Sequence, residues 1–180
     1  MLVGEADSYT GLADDLARHG IADRVRITGY VPDEAIGAHL RAADVCLCLR
    51  WPTAQESSAS WLRCLAAARP TVISDLAHLV DVPADVACRI DLLDEDRALA
   101  QTMQSLSTDP KRRANLAGAG HAYWAAGHTL TLMAEDYRRV LRDTAARPAP
   151  DVHDLPAHLT DDHTAHARAI ARAFGVAVDF

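Results

Sequence analysis

Val45–Leu49 (VCLCL) is an unbroken apolar run, which predicts a central parallel strand covered on both faces. Thr71–Ser74 predicts a second buried strand, and Ala87–Ile90 a weaker third. Between the first two, Arg50–Glu56 reads as a polar loop and Ser57–Ala68 as a helix with Trp61, Leu62 and Leu65 on its apolar side. Upstream, Leu2-Val3-Gly4 is a short apolar start. Tyr9–His19 has helical spacing and stops at Gly20. Val25–Thr28 reads as a strand ending at Gly29, and Pro32-Asp33-Glu34 opens a helix with acids in its first turn. Downstream, Asp94–Thr108, Pro110–Ala126 and Thr129–Thr144 read as three helices. Arg147-Pro148-Ala149-Pro150 marks a linker, after which Asp161–Phe174 can form one more helix.

Alternating strands and helices predict an α/β fold, a Rossmann-like doubly wound parallel sheet with a helical C-terminal extension. The expected division is a domain over 1–146 and a linker and tail helix over 147–180. A strand that begins at residue 1 has nothing before it to complete a β-α-β unit. The expectation is a chain that starts inside a fold.

At 180 residues and a net charge of -7, the chain is no general polyanion binder. Lys111 is its sole lysine, so cationic chemistry rests on guanidinium groups, which suit bidentate phosphate contacts. Cys46, Cys48, Cys64 and Cys88 lack metal-site spacing, and read as reduced thiols of a cytoplasmic protein. Cys46 and Cys48 alternate along one strand and share a face. No apolar run reaches transmembrane length, and no signal peptide is visible. His163 and His166 lie one helical turn apart beside Asp162, which fits either a metal pair or a solvated acidic helix. The expectation is that no metal is bound.

The candidate chemistry lies between the first two buried strands. A loop ending in Glu56 and a helix starting near Ser57 and Ser58 sit at the carboxyl end of a strand, where open α/β sheets bind phosphorylated ligands. The helix start offers unpaired N–H groups and two hydroxyls. Glu56 can accept hydrogen bonds from sugar hydroxyls, so phosphate plus sugar is a coherent ligand. Simple N-capping by the same residues is the other reading. Trp51 fits a stacking platform or a packing lid equally well. A Ser-His-Asp hydrolase would need a Gly-x-Ser-x-Gly elbow, which is absent.

Several segments, in register, resemble the C-terminal, donor-binding half of retaining glycosyltransferases of the GT-B architecture (glycosyl transferases group 1, family 4-like). Leu2-Val3-Gly4-Glu5 resembles that family's strand ending in Val-Gly, and Asp23–Val31 (DRVRITGYV) its strand and Gly-Tyr-Val turn. Pro32-Asp33-Glu34 with Ala42-Ala43-Asp44-Val45 resembles its next helix and strand start. Leu49-Arg50-Trp51-Pro52-Thr53 with Glu56-Ser57-Ser58 resembles its donor loop, and Pro70–Asp75 its following strand. The resemblance covers about residues 1–145.

It implies a nucleotide-diphosphate sugar as the donor and retaining hexosyl transfer without a metal or other cofactor. It assigns Glu56, as the first acid of the family's paired-glutamate motif, a catalytic place in contact with the donor sugar. Gly29 and Val31 would line the base pocket, and Ser57, Ser58 and the backbone at Ala59 would hold the diphosphate. Arg50 is the nearest loop cation. Arg63 stands where the family's second glutamate grips the ribose. Ala59 and Ala68 stand at positions that are commonly glycine. The family's acceptor half and the first strand and loop of its donor half have no counterpart here, so a truncated or split chain is expected. Its partner would be a separate acceptor domain or a second copy. Its location would be cytoplasmic or peripheral to a membrane, with no nucleic acid bound. The alternative reading is a catalytically inactive Rossmann-like interaction module.

Overall fold

A run of consecutive apolar residues has no face to leave in water, so it folds as a strand covered on both sides. The computed structural model describes residues 1–4, 10–50, 58–148 and 164–175. In it the two apolar runs form β1 (Cys46–Cys48) and β2 (Thr71–Ser74), and Cys88–Ile90 forms β3. β2 is buried throughout, whereas β1, expected at the centre and covered on both faces, lies at the end of the described sheet with Leu47 exposed, because no described strand pairs with its other side. The sheet order is β1-β2-β3 with both pairings parallel, and the register sets Leu47 beside Val72 and Ile73 beside Arg89. The helices are α1 (Leu12–Arg18), α2 (Asp33–Ala42), α3 (Ala59–Ala66), α4 (Glu95–Thr108), α5 (Pro110–Gly127), α6 (Leu130–Ala145) and α7 (Ala165–Ala173). This is the α/β architecture that the sequence predicts. Two compact units divide the chain, Met1–Ala134 and Glu135–Phe180, and the division falls inside α6.

The core of the first unit follows from strand alternation. Successive side chains of β2 point to opposite faces. Ile73 joins Trp61, Leu65, Val82, Val86 and Ala87 on one side. Val72 joins Cys88, Ile90, Leu106 and Leu116 on the other. Trp61, expected on the apolar side of its helix, is buried, and its indole N–H donates to Thr71 Oγ1 at 3.1 Å. That bond satisfies the two buried polar groups at once.

Helix ends follow local chemistry. Asp109 caps α5 by accepting the Arg112 N–H at 2.8 Å, and Pro110 occupies the first helical position. Gly20 follows α1 at φ +64, a left-handed stop. The Val25–Thr28 strand is reduced to a single bridge. The Leu2 N–H donates to Arg26 O at 2.8 Å, and the Thr28 N–H donates to Leu2 O at 3.1 Å. Leu2 and Ile27 stay largely exposed, so little apolar burial is present to extend the ladder.

The end of α3 carries a strained residue. The Ala68 N–H donates to Leu65 O at 2.9 Å and the Arg69 N–H to Cys64 O at 3.0 Å, the paired bonds of a Schellman motif. That motif needs a left-handed residue, and Ala68 fills it at φ +51, the only described non-glycine with positive φ. Its methyl sits against the following carbonyl in that conformation.

Helices α3 and α5 pack closely at Gly120. A Cβ added at Gly120 would lie 2.8 Å from Leu65 Cδ2 and 3.2 Å from the Val86 carbonyl oxygen. Leu65 is fully buried, so it has little room to withdraw.

Two substitutions test these points by thermal or urea unfolding. Ala68→Gly is expected to stabilise the protein by about 0.5–1 kcal/mol, the relief of left-handed strain less glycine's added unfolded-state entropy. Gly120→Ala is expected to destabilise it by roughly 1–3 kcal/mol through overpacking. A neutral result at Gly120 would mean that α5 does not sit this close to Leu65.

Candidate functional site

Strands β1 and β2 run parallel, so their carboxyl ends lie side by side. There the Arg50 N–H donates to Ser74 Oγ at 3.0 Å, tying the residue after β1's loop entry to the last residue of β2. Ser74 is buried, and the bond satisfies its hydroxyl. The Asp75 N–H donates to Ile90 O at 2.8 Å, and its carboxylate faces Arg89 at 3.6 Å. The three strand ends are thus cross-linked by main-chain and side-chain bonds.

Ser58 is the N-cap of α3. Its Oγ accepts the Trp61 N–H at 3.2 Å, in extended backbone geometry. Ala59 is the first helical residue and is exposed. By helix geometry the first-turn amides other than that of Trp61 have no partner inside the helix. Glu56 and Ser57, with the whole stretch 51–57, lie outside the described residues.

Gly29 adopts φ +65, which the turn requires, although a Cβ there would meet open space. Thr28 Oγ1 buttresses this turn, accepting the Gly4 N–H at 3.1 Å and donating to Gly29 O at 2.9 Å. Tyr30 is exposed and Val31 partly buried.

Arg63 lies on α3 and is engaged elsewhere. Its two terminal nitrogens donate to the two carboxylate oxygens of Asp33 on α2, both at 3.0 Å. This bidentate geometry is the strongest form of such a pair, though both side chains are substantially exposed. The Arg63 hydrogen bonds hold the Asp33 carboxyl below the usual carboxylate range. The pair therefore contributes at neutral pH and is lost as pH falls through that lowered value.

A cavity of about 1070 Å³ lies beside β1 and is lined by Leu2, Gly4, Asp44, Leu47, Ser60 and Arg63, among others. Of the described residues expected in a donor pocket, Arg63 alone lines it. Sequence reasoning missed this cavity and the role of Asp33, because the partners lie about thirty or more residues apart in the chain. Among the described residues, no group of three or more His, Cys, Asp or Glu side chains is placed to hold a metal ion. None of the described helices is long and apolar enough to cross a membrane.

The family model described as glycosyl transferases group 1 matches residues 1–109. No curated protein matches the chain. Among solved structures, the chain is similar to a sucrose-phosphate synthase from Thermosynechococcus elongatus, with a TM-score of 0.68 and 21% identity. The match covers 81% of this chain and 38% of that one, so the chain spans well under half the length of that structure. The likeness is one of fold, to one half of a GT-B architecture.

Removing the cap hydroxyl with Ser58→Ala is expected to destabilise the protein by about 1 kcal/mol, and Ser58→Asp to restore most of it. Melting temperatures of the three proteins read this directly. Equal melting for wild type and Ser58→Ala would mean that the hydroxyl does not cap α3.

Proposed function

Because the chain belongs to the group 1 glycosyl transferases, we propose that it is a donor-binding part of a retaining hexosyltransferase that takes a nucleotide-diphosphate sugar. One observation carries this reading. A capped helix N-terminus follows β1 in the chain, within the residues that the family model matches. Anions gain there from unpaired amides and from the helix dipole.

In this reading Ser57, Ser58 and the Ala59 amide hold the diphosphate, and Arg50 adds positive charge from the strand end. Glu56 accepts hydrogen bonds from hydroxyls of the donor sugar. Gly29 and Val31 border the base. Arg63 reaches the ligand only by releasing Asp33, so in the resting protein it stands at the rim. The bond from the anomeric carbon to the diphosphate oxygen breaks as the acceptor oxygen bonds on the same face. Charge gathers on the departing diphosphate, where fixed dipoles and guanidinium groups stabilise it without a metal. The acceptor is held by a separate domain or a second chain. The free thiols of all four cysteines fit a reducing, cytoplasmic setting.

A second reading, a catalytically inactive interaction module, is favoured by the Asp33 pair, which occupies the guanidinium at the ribose position.

Calorimetric titration with UDP, GDP and their hexose conjugates separates the two. The donor reading expects heat with one nucleotide series. Glu56→Ala should then weaken the hexose conjugate roughly 10–100-fold, as loss of a charged hydrogen bond implies, and leave the free nucleoside diphosphate nearly unchanged. Absence of heat with every nucleotide would overturn the donor reading and leave the module.

A further inference from the structure

Cys46 and Cys48 alternate along β1 on one face, and Cys64 comes from α3, which packs against that face. The Sγ atoms of Cys48 and Cys64 lie 3.8 Å apart, in contact. Cys88 belongs to the apolar cluster on the sheet's other side. Cys46, Cys48 and Cys64 all line the cavity beside β1, and Cys48 is the partly exposed member of the three. Donor-sugar chemistry has no use for these thiols.

We propose that Cys48 and Cys64 are a redox couple, which a peroxide converts into an intramolecular disulfide that staples β1 to α3. A disulfide needs its sulfurs about 2.05 Å apart, so the pair must close by just under 2 Å, a distance that side-chain rotation can supply. The cavity gives a small peroxide access to Cys48. The order of events follows from the hydrogen bonds. Donation from Cys64 holds the Cys48 thiol below its ordinary value, against the opposing effect of burial. On Cys64 the Cys46 hydrogen bond pulls down, but donation to Cys48 and burial outweigh it and push the thiol up to about 12. The Cys64 hydrogen bond, and then burial, also raise Cys46. Cys48 is therefore the nucleophile, because the thiolate is the reactive form.

The Cys48 thiolate attacks one peroxide oxygen and the O–O bond breaks. Cys48 becomes a sulfenic acid, and the released oxygen takes a proton to leave as water or an alcohol. The Cys64 sulfur then attacks the Cys48 sulfur. The S–O bond breaks, and hydroxide departs with the Cys64 proton as water. Two thiols lose two electrons and the peroxide gains them. The ring so closed spans Cys48 to Cys64 and encloses Glu56, Ser57 and Ser58.

The test is treatment of the reduced full chain with hydrogen peroxide, alkylation, trypsin digestion and mass spectrometry. The expected product joins peptide 42–50 through Cys48 to the peptide that begins at Cys64, with Cys46 and Cys88 alkylated. The melting temperature should rise by roughly 5 °C, about half of what loop closure alone would give, and dithiothreitol should reverse it. Cys48→Ser should abolish both effects, and Cys46→Ser should leave both. Linkage through Cys46, sulfinic acid at Cys48 with Cys64 alkylated, or four alkylated thiols would each overturn the proposal. Should Cys48→Ser fail to fold, the peptide map of the wild-type chain decides alone.

Discussion

The first compact unit depends on how closely α5 can lie over α3. Gly120 has no side chain, so Leu65 can fill the space beneath it and the Val86 carbonyl can come near. Leu65 in turn joins Trp61 and Ile73 in one apolar cluster with Val82, Val86 and Ala87. The central strand is thereby covered by a helix that is itself covered. His121, one residue after Gly120, places Nδ1 3.3 Å from the Leu65 carbonyl oxygen, so the same contact is marked by a polar bond as well as by packing. Packing at this density leaves α3 little freedom.

The strand ends themselves form a rigid base. The base is the set of strand ends joined through Ser74, Arg50 and Ile90. Ala59, Tyr30 and the Arg63–Asp33 pair are by contrast exposed or partly exposed. Strain sits at the opposite end of the same helix, at Ala68, where the chain must turn sharply into β2.

The strands were legible because continuous apolar runs admit few alternatives, but that β1 would stand at the edge of the described sheet with Leu47 exposed was not, since strand order depends on tertiary pairing. β1 and β2 fall within Val45–Leu49 and on Thr71–Ser74. Helix α5 was legible through Asp109 and Pro110, whose capping chemistry is local. Val25–Thr28 failed as a strand because β-branched composition does not supply a long partner, and only isolated bridges form, Leu2 to Ile27 and Gly4 to Gly29. The site divides the same way. Ser58 as a cap could be read from its neighbours, but the capture of Arg63 by Asp33 and the meeting of Cys48 with Cys64 depend on tertiary packing. Glu56 and Ser57 lie in the undescribed stretch.

The shortness of β1 has a consequence for solubility. Cys46 turns its N–H toward β2, donating to Pro70 O at 2.9 Å, so alternation turns the main-chain groups of Leu47 to the outer edge. An outer edge is where another sheet can add itself, and a long flat one invites aggregation. Here β1 spans only Cys46–Cys48, so a single residue of the strand presents such groups. Brevity at the edge limits edge-to-edge growth without spending a charged residue on it.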